Sequence, residues 1–386
     1  MSTNIRESSN DLTEQISFDY FEKNNYSNLN IDSKDYEGNS FINVKNIVPK
    51  KNYKVLELFA GAGGMALGLE NAGFESAALI EIDKPACNTL IKTRPNWKVL
   101  NEDIITVAEL GISNYIDTSE IDVLSGGYPC QSFSYAGKKL GLDDTRGTLF
   151  YYYAKILKDI MPKVFIAENV KGLVNHDNGQ TLNIMIKVFE DLGYEVQWNV
   201  LRAIDYGVAQ KRERIFIIGV RSDLVKKHKV KYSFPEVFDY SLTLKDVLQN
   251  VPTSPGAQYP ESKKRVLKLV PPGGYWRDLP ENIAKEYMGK SYYSGGGRTG
   301  MARRLSWDEP SLTLTCSPAQ KQTERCHPDE IRPFTVREYA RIQSFPDEWE
   351  FPVSMSNAYK QIGNAVPVKL AEVIGLSVIE LLNRIE

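Results

Sequence analysis

Cys130 carries a thiol in the setting that nucleophilic chemistry asks for. It stands in Gly126-Gly127-Tyr128-Pro129-Cys130-Gln131-Ser132-Phe133-Ser134, directly after the apolar run Ile121-Asp122-Val123-Leu124. A thiol just past the C-terminal end of a strand, with Pro129 fixing the backbone before it and glycines clearing space, is placed to attack an electrophilic carbon. A cysteine that merely filled a core would sit in an apolar run, whereas this one sits among Gly, Pro, Ser and Gln.

A carboxyl and two guanidiniums accompany it. The apolar run Val164-Phe165-Ile166-Ala167 leads into Glu168-Asn169-Val170, so Glu168 stands at the end of a second buried strand. Gln210-Lys211-Arg212-Glu213-Arg214 precedes a third, Ile215 to Val220. A planar guanidinium binds carboxylate or phosphate in a fork, so Arg212 and Arg214 either orient an acid or phosphate near the cysteine or pair with a local acid such as Glu213.

The elements that position these groups begin at Tyr53. Val55-Leu56-Glu57-Leu58-Phe59 reads as a buried strand, Ala60-Gly61-Ala62-Gly63-Gly64 as a turn, and Met65 to Asn71 as a helix stopped at Gly73. This is the strand, glycine turn and helix unit of a nucleotide-binding α/β fold, although a tight turn alone needs the same glycines. The next strand, Ala77 to Ile80, ends at Glu81, where a carboxylate can accept from ribose hydroxyls. Asp103 is either an adenine contact or a helix cap. Gly61, Glu81, Cys130 and Glu168 thus converge on one sheet edge, the edge at which open parallel sheets bind ligands.

Further helices are expected from Arg146 to about Ile160, stopped by Pro162, from Thr181 to Leu192, and from Val368 to about Arg384; a strand is expected from Val196 to Leu201. Residues 135 to 141, with paired lysines between glycines, suit a mobile lid or a solvated loop. Residues 1 to 50 are rich in Asn, Ser and acids and read as a disordered or loosely packed extension. Beyond about 225 the texture becomes irregular, aromatic and basic: residues 261 to 345 carry 15 Lys/Arg against 10 Asp/Glu in a chain of net charge -2. Arg298, Arg303, Arg304, Lys321 and Arg325 are the candidate phosphate or base contacts there.

Composition narrows the class. The apolar stretches are of strand length, and no apolar leader segment is present, so a cytoplasmic protein without a membrane span is expected. Four cysteines without CxxC spacing and only three histidines argue against a zinc site, a disulfide framework or histidine-based catalysis.

Taken together, Phe59-Ala60-Gly61-Ala62-Gly63-Gly64, Gly127-Tyr128-Pro129-Cys130-Gln131, Glu168-Asn169-Val170, Gln210-Lys211-Arg212-Glu213-Arg214, Arg337 to Pro346 and Gly363-Asn364 resemble the ordered motifs of the DNA C5-cytosine methyltransferases, bacterial restriction-modification type. The resemblance runs from about residue 54 to the C-terminus. It implies an α/β fold, a Rossmann-like mixed sheet with a second, smaller, irregular β-rich target-recognition domain. It places the catalytic domain at 51–225 plus 349–386 and the recognition domain at 226–348. It also implies S-adenosyl-L-methionine as methyl donor, lying on Phe59, Ala60, Gly61, Gly63 and Gly64, with Glu81 and Ile82 at its ribose, Asp103 and Ile104 near its adenine, and Asn364 brought back beside it. Cys130 would attack cytosine C6, Glu168 would act at N3 and N4, and Arg214 would orient Glu168.

Tyr128 stands where many relatives have Phe, Ile82 where a Trp is common, and Ala365 where Ser is frequent; none removes a reacting group. The reading is a monomeric bacterial enzyme that methylates cytosine in a short double-stranded DNA sequence and is paired functionally with a cognate restriction endonuclease. The rivals are an RNA C5-methyltransferase of the tRNA-modifying kind and a catalytically idle DNA-binding or cofactor-sensing protein. A nicotinamide dehydrogenase leaves Cys130 with Glu168 without a role.

Overall fold

A computed structural model describes residues 39–129, 148–294 and 299–386. Cys130, the loop to Gly141, Arg146, Arg298 and the first 38 residues lie outside the described residues. Eleven strands are present among them: β1 (Ser40–Ile42), β2 (Tyr53–Leu58), β3 (Phe74–Ile80), β4 (Val99–Leu100), β5 (Val123–Gly126), β6 (Val164–Val170), β7 (Tyr194–Arg202), β8 (Gln210–Lys211), β9 (Glu213–Arg221), β10 (Ser233–Pro235) and β11 (Ser311–Leu312).

Seven strands form the central sheet in the order β4-β3-β2-β5-β6-β9-β7. β4, β3, β2, β5 and β6 pair in parallel, while β9 runs antiparallel to both β6 and β7. Strands buried on both faces must be apolar throughout, and Val164 to Ala167 of β6 are wholly buried. The chain winds outward in opposite directions from β2 and β5, so the crevice beyond their C-terminal ends is the switch point of the sheet.

The helix Gly64–Ala72 ends where Gly73 adopts φ 109°, and Leu149–Ile160 ends at left-handed Met161 before Pro162. The helix Val368–Ile385 closes the sheet by packing on Gly64–Ala72. That contact is backbone-close: a Cβ on Gly68 would lie 2.5 Å from the Val368 carbonyl oxygen and 2.7 Å from the Glu372 nitrogen.

Three expectations need correction. Residues 39–50 are packed: β1 pairs in parallel with β10, Val44 is buried, and Asn39 donates to the Trp198 carbonyl at 3.1 Å. The polar side chains that made this stretch look loose are the ones that bond it to the sheet edge. The boundaries at 225 and 348 also fall inside packed segments. Tyr232 and Phe234 share a core with the C-terminal helix, and Tyr339 to Phe345 share one with Trp349 and Ile362. A separate small core is built from Tyr259, Leu267, Val270, Leu279, Ala284, Ala302 and Cys326. The region from 226 to 348 is irregular, as expected, but not β-rich: its described strands are β10 and β11, and short helices such as Glu261–Leu267 and Glu281–Met288 supply the rest.

Replacing Gly68 by Ala tests the helix contact. Propensity alone favours alanine by about 1 kcal/mol, whereas overpacking against backbone costs about 1–3 kcal/mol. The clash is expected to win, so the urea midpoint of Gly68→Ala falls below that of the unaltered chain.

Candidate active site

The backbone that leads into the cysteine is anchored by its neighbours. Tyr128 is buried edge-on against Phe150 and near Tyr153, with ring centroids 5.6 and 5.4 Å away. Asn169, itself buried, donates its side-chain amide to the Tyr128 carbonyl at 2.9 Å. The alternation of β6 sends Glu168 to the other face. There Arg214 Nε stands 2.7 Å from Glu168 Oε1. Gly127 leaves the room, because a Cβ there would lie 2.6 Å from Glu168 Oε2. The roles of Asn169 and Gly127 were hidden in sequence, although both lie inside the quoted motifs.

β6 therefore does not end at Ala167 but carries Glu168 within it. Burial pushes the Glu168 carboxyl above its usual range, and Arg214 and then Arg212 pull it back. A carboxyl so placed holds a proton more readily than one in water, which suits it to donate to a ring nitrogen.

Arg212 is placed differently from Arg214. Its guanidinium is fully buried and donates to the Leu314 carbonyl at 3.2 Å and the Gly363 carbonyl at 2.9 Å. Burial lowers its pKa to about 9. It clamps backbone through both of its terminal nitrogens.

At the glycine turn, Phe59 and Gly61 both hold positive φ, 58° and 54°. A Cβ on Gly61 would meet nothing within 4 Å, so the turn opens onto free space at that point. Gly63 and Gly64 are glycine for packing: a Cβ on Gly63 would lie 2.6 Å from Leu90 and 2.9 Å from Trp349, and one on Gly64 would overlap the Val366 carbonyl. That contact sets Ala365 and Val366, which follow Asn364, against the turn, with Ala60 buried nearby. Glu81 accepts from the Gly61 and Asp83 amides at 2.7 and 2.8 Å, and Ile82 beside it is 64% exposed. Asp103 caps the helix Ile104–Leu110 by accepting from Ile105 N at 2.9 Å, and Ile104 is buried in the core. Asn364 presents an exposed side chain whose Oδ1 accepts from the Cys316 thiol at 2.9 Å. An open turn with a carboxylate and an exposed apolar side chain at its mouth fits a nucleoside-bearing cofactor.

The expected DNA-contacting cations are largely committed inside the protein. Arg325 is buried and holds the Thr313 carbonyl at 2.9 Å, and Arg304 donates to the Pro328 and Val270 carbonyls at 2.9 and 3.1 Å. Lys321 binds the Tyr287 carbonyl and lies over its ring, and Arg303 lies over the Tyr275 ring with Glu309 at 3.7 Å. These four hold together the irregular region between 226 and 348, and their guanidinium and ammonium groups are turned to protein partners.

The sheet order with one reversed strand, the open turn at its switch point and the carboxyl at its edge define a Rossmann-like methyltransferase. The chain matches the family model for C-5 cytosine-specific DNA methylase over residues 53–380, and it belongs to that family. It is 61% identical over 350 residues to the Type II methyltransferase M.Sau96I of Staphylococcus aureus, covering 91% of this chain and 81% of that one. It is 60% identical over 341 residues to M.Eco47II of Escherichia coli, covering 86% and 80%. Among solved structures, a prophage-encoded Escherichia coli chain assigned as a DNA modification methyltransferase aligns with TM-score 0.62 and 27% identity over 86% of this chain and 100% of that one. The Spodoptera frugiperda DNMT2 structure, at 21% identity, TM-score 0.61 and coverage of 86% and 99%, shares the fold. The protein is thus a DNA cytosine C5-methyltransferase of the bacterial restriction-modification type. Among the described residues no helix is long and apolar enough to cross a membrane.

Glu57, which drew no attention in the sequence, lies buried in β2 beneath this turn. Burial lifts its carboxyl to about 8, against hydrogen bonds from Ser125 and the Ala66 amide. The native state therefore keeps a proton that the unfolded chain has already released. Stability is fully present below the ordinary carboxyl range and is lost as pH climbs toward about 8. Urea unfolding at stepped pH should show that decline in the unaltered chain and a shallower one in Glu57→Gln, the remaining slope including the like-signed contribution of Glu168.

Proposed function

We propose that the enzyme methylates C5 of a cytosine flipped out of a short, specific duplex sequence, with Cys130 as covalent nucleophile. The mark would shield DNA from a cognate restriction endonuclease, the enzyme acting as a monomer in the bacterial cytoplasm. The observation that carries this is the buried Glu168–Arg214 pair, set against Gly127 three residues before Cys130.

Cytosine C5 is a weak nucleophile. The Cys130 thiolate adds to C6, forming a carbon–sulfur bond and pushing electron density toward N3 and C5. Glu168, whose proton burial favours, donates to N3 and so offsets that charge, while its other oxygen accepts from the N4 amino group. Arg214 fixes the carboxyl in place for both contacts. S-adenosyl-L-methionine, when bound, supplies the methyl group to C5 as the electrophilic carbon of a sulfonium. The turn Phe59 to Gly64, Glu81, Ile82, Asn364 and the remaining oxygen of Asp103 would hold it, and the buried Ile104 supports Asp103. Loss of the C5 proton to water or hydroxide then breaks the carbon–sulfur bond, returning the thiolate and releasing the N3 proton to Glu168. None of these ring atoms can be reached within a stacked duplex, which is why the base must leave the helix. The small-core unit around Tyr259 and Cys326 would present its loops to the bases on either side.

Bisulfite sequencing of DNA from a methylation-free host expressing this chain or Cys130→Ser tests the proposal. Protected cytosines at one recurring short motif, absent with Cys130→Ser, are expected; uniform conversion with both soluble proteins would refute it. Glu168→Gln should lower turnover by about 10²- to 10⁴-fold, the range for a lost general acid.

A further inference from the structure

A buried hydrogen-bond relay joins the two halves of the site. Gln210 and Gln343 are completely buried, 133 residues apart in sequence, and their side chains meet: Gln210 Nε2 donates to Gln343 Oε1 at 2.6 Å. Gln210 Oε1 in turn accepts from the Leu314 amide at 2.9 Å. Gln343 Nε2 donates to the Ile362 carbonyl at 2.7 Å and the Ala365 carbonyl at 3.0 Å. The amide orientations follow from the partners, since either glutamine reversed would set oxygen against oxygen or N–H against N–H.

Arg212 completes the junction. It binds Leu314 from the carbonyl side while Gln210 binds it from the amide side, and it takes the Gly363 carbonyl between the two that Gln343 holds. The last carbonyls of the helix Met355–Asn364 are therefore captured by side chains from two other segments, satisfying groups that a helix end leaves open. Gly363 lets the helix end press on the segment after β11: a Cβ there would lie 2.6 Å from the Thr315 carbonyl carbon and 2.7 Å from the Cys316 amide. Asn364 projects from that helix end, and Arg214 lies four residues beyond Gln210.

We infer that the Gln210–Gln343 amide pair is a positioning device that couples the cofactor side of the site, at Asn364, to the base side, at Arg214 and Glu168, through the segment around Leu314 that follows β11. The inference rests on the reading of Asn364, Arg214 and Glu168 as site residues. Gln343 and Gln210 touch neither substrate nor cofactor. An apolar core of the same shape would pack as well; only two amides in series can accept from Leu314 and donate to two carbonyls at the far end.

The test uses the full chain with Gln210→Met, Gln343→Met and the double variant, each of similar volume to the original. Melting temperature, S-adenosyl-L-methionine affinity by calorimetry and single-turnover methyl transfer at saturating DNA and cofactor are measured, the last per folded molecule. Each single variant is expected to lose about tenfold or more in the transfer step, the scale of a buried polar group left unpaired. The double variant should lose no more than the worse single one, because both break the same chain of bonds. Gln343→Met should also weaken cofactor affinity severalfold, while Gln210→Met leaves it within about twofold, since only Gln343 touches the helix end. Unchanged transfer per folded molecule, losses that multiply, or unaltered cofactor affinity in Gln343→Met would each overturn the coupling. If one single variant is insoluble, the double variant against the other single decides by the same comparison. Cys130→Ser run alongside separates the failures: transfer surviving there would sink the site assignment, whereas an inert Cys130→Ser with unaffected glutamine variants would sink only the relay.

Discussion

Glu168 can lie inside the sheet because Arg214 faces it at 2.7 Å, and much of the architecture follows from that pairing. Removing one partner of a buried ion pair costs about 3–5 kcal/mol, so the strand that brings the arginine cannot be placed freely. β9 runs against β6, and reversal is what makes the geometry work. A parallel strand presents its last residues at the ligand edge, and an antiparallel neighbour presents its first. The motif that precedes β9 therefore lands beside the motif that ends β6. Gly127 belongs to the same constraint, since any side chain there would take the space of the carboxyl.

The arginines tell a related story about irregular chain. A region with few helices and strands leaves backbone carbonyls without ladder partners, and buried carbonyls are nearly always satisfied. Guanidinium forks do that here: Arg304 spans Pro328 and Val270, Arg325 holds Thr313, and Arg212 joins Leu314 to Gly363. The positive excess between 261 and 345 is thus in good part a structural resource, and its count alone is a poor map of the DNA-facing surface.

Much of the sheet that carries the candidate site was legible because its signals are local. Val55 to Phe59, Val164 to Ala167 and Ile215 to Val220 are apolar runs of strand length, and Gly73 and Pro162 stop helices by their own backbone chemistry. Asn169, Gln343 and Glu57 were not legible in the same way. Asn169 bonds Tyr128 across 41 residues, Gln343 meets Gln210 across 133 and Glu57 meets Ser125 of a neighbouring strand, and a polar residue in a motif does not announce whether it bonds substrate or backbone. The packed segment 39–50 was missed for the same reason, since its hydrogen bonds run to Trp198 and Asn383.

By itself the sequence determined which residues could react, the order in which their strands arise and the glycines that punctuate them, because these depend on side-chain chemistry and short-range backbone preference. The tertiary structure decided which arginine meets Glu168 and which is spent on carbonyls, why Gly61 opens to space while Gly63 and Gly64 close on Trp349 and Val366, and where the separate small core around Tyr259 and Cys326 lies. Those outcomes depend on strand direction and on contacts between segments more than a hundred residues apart, and no local pattern encodes them.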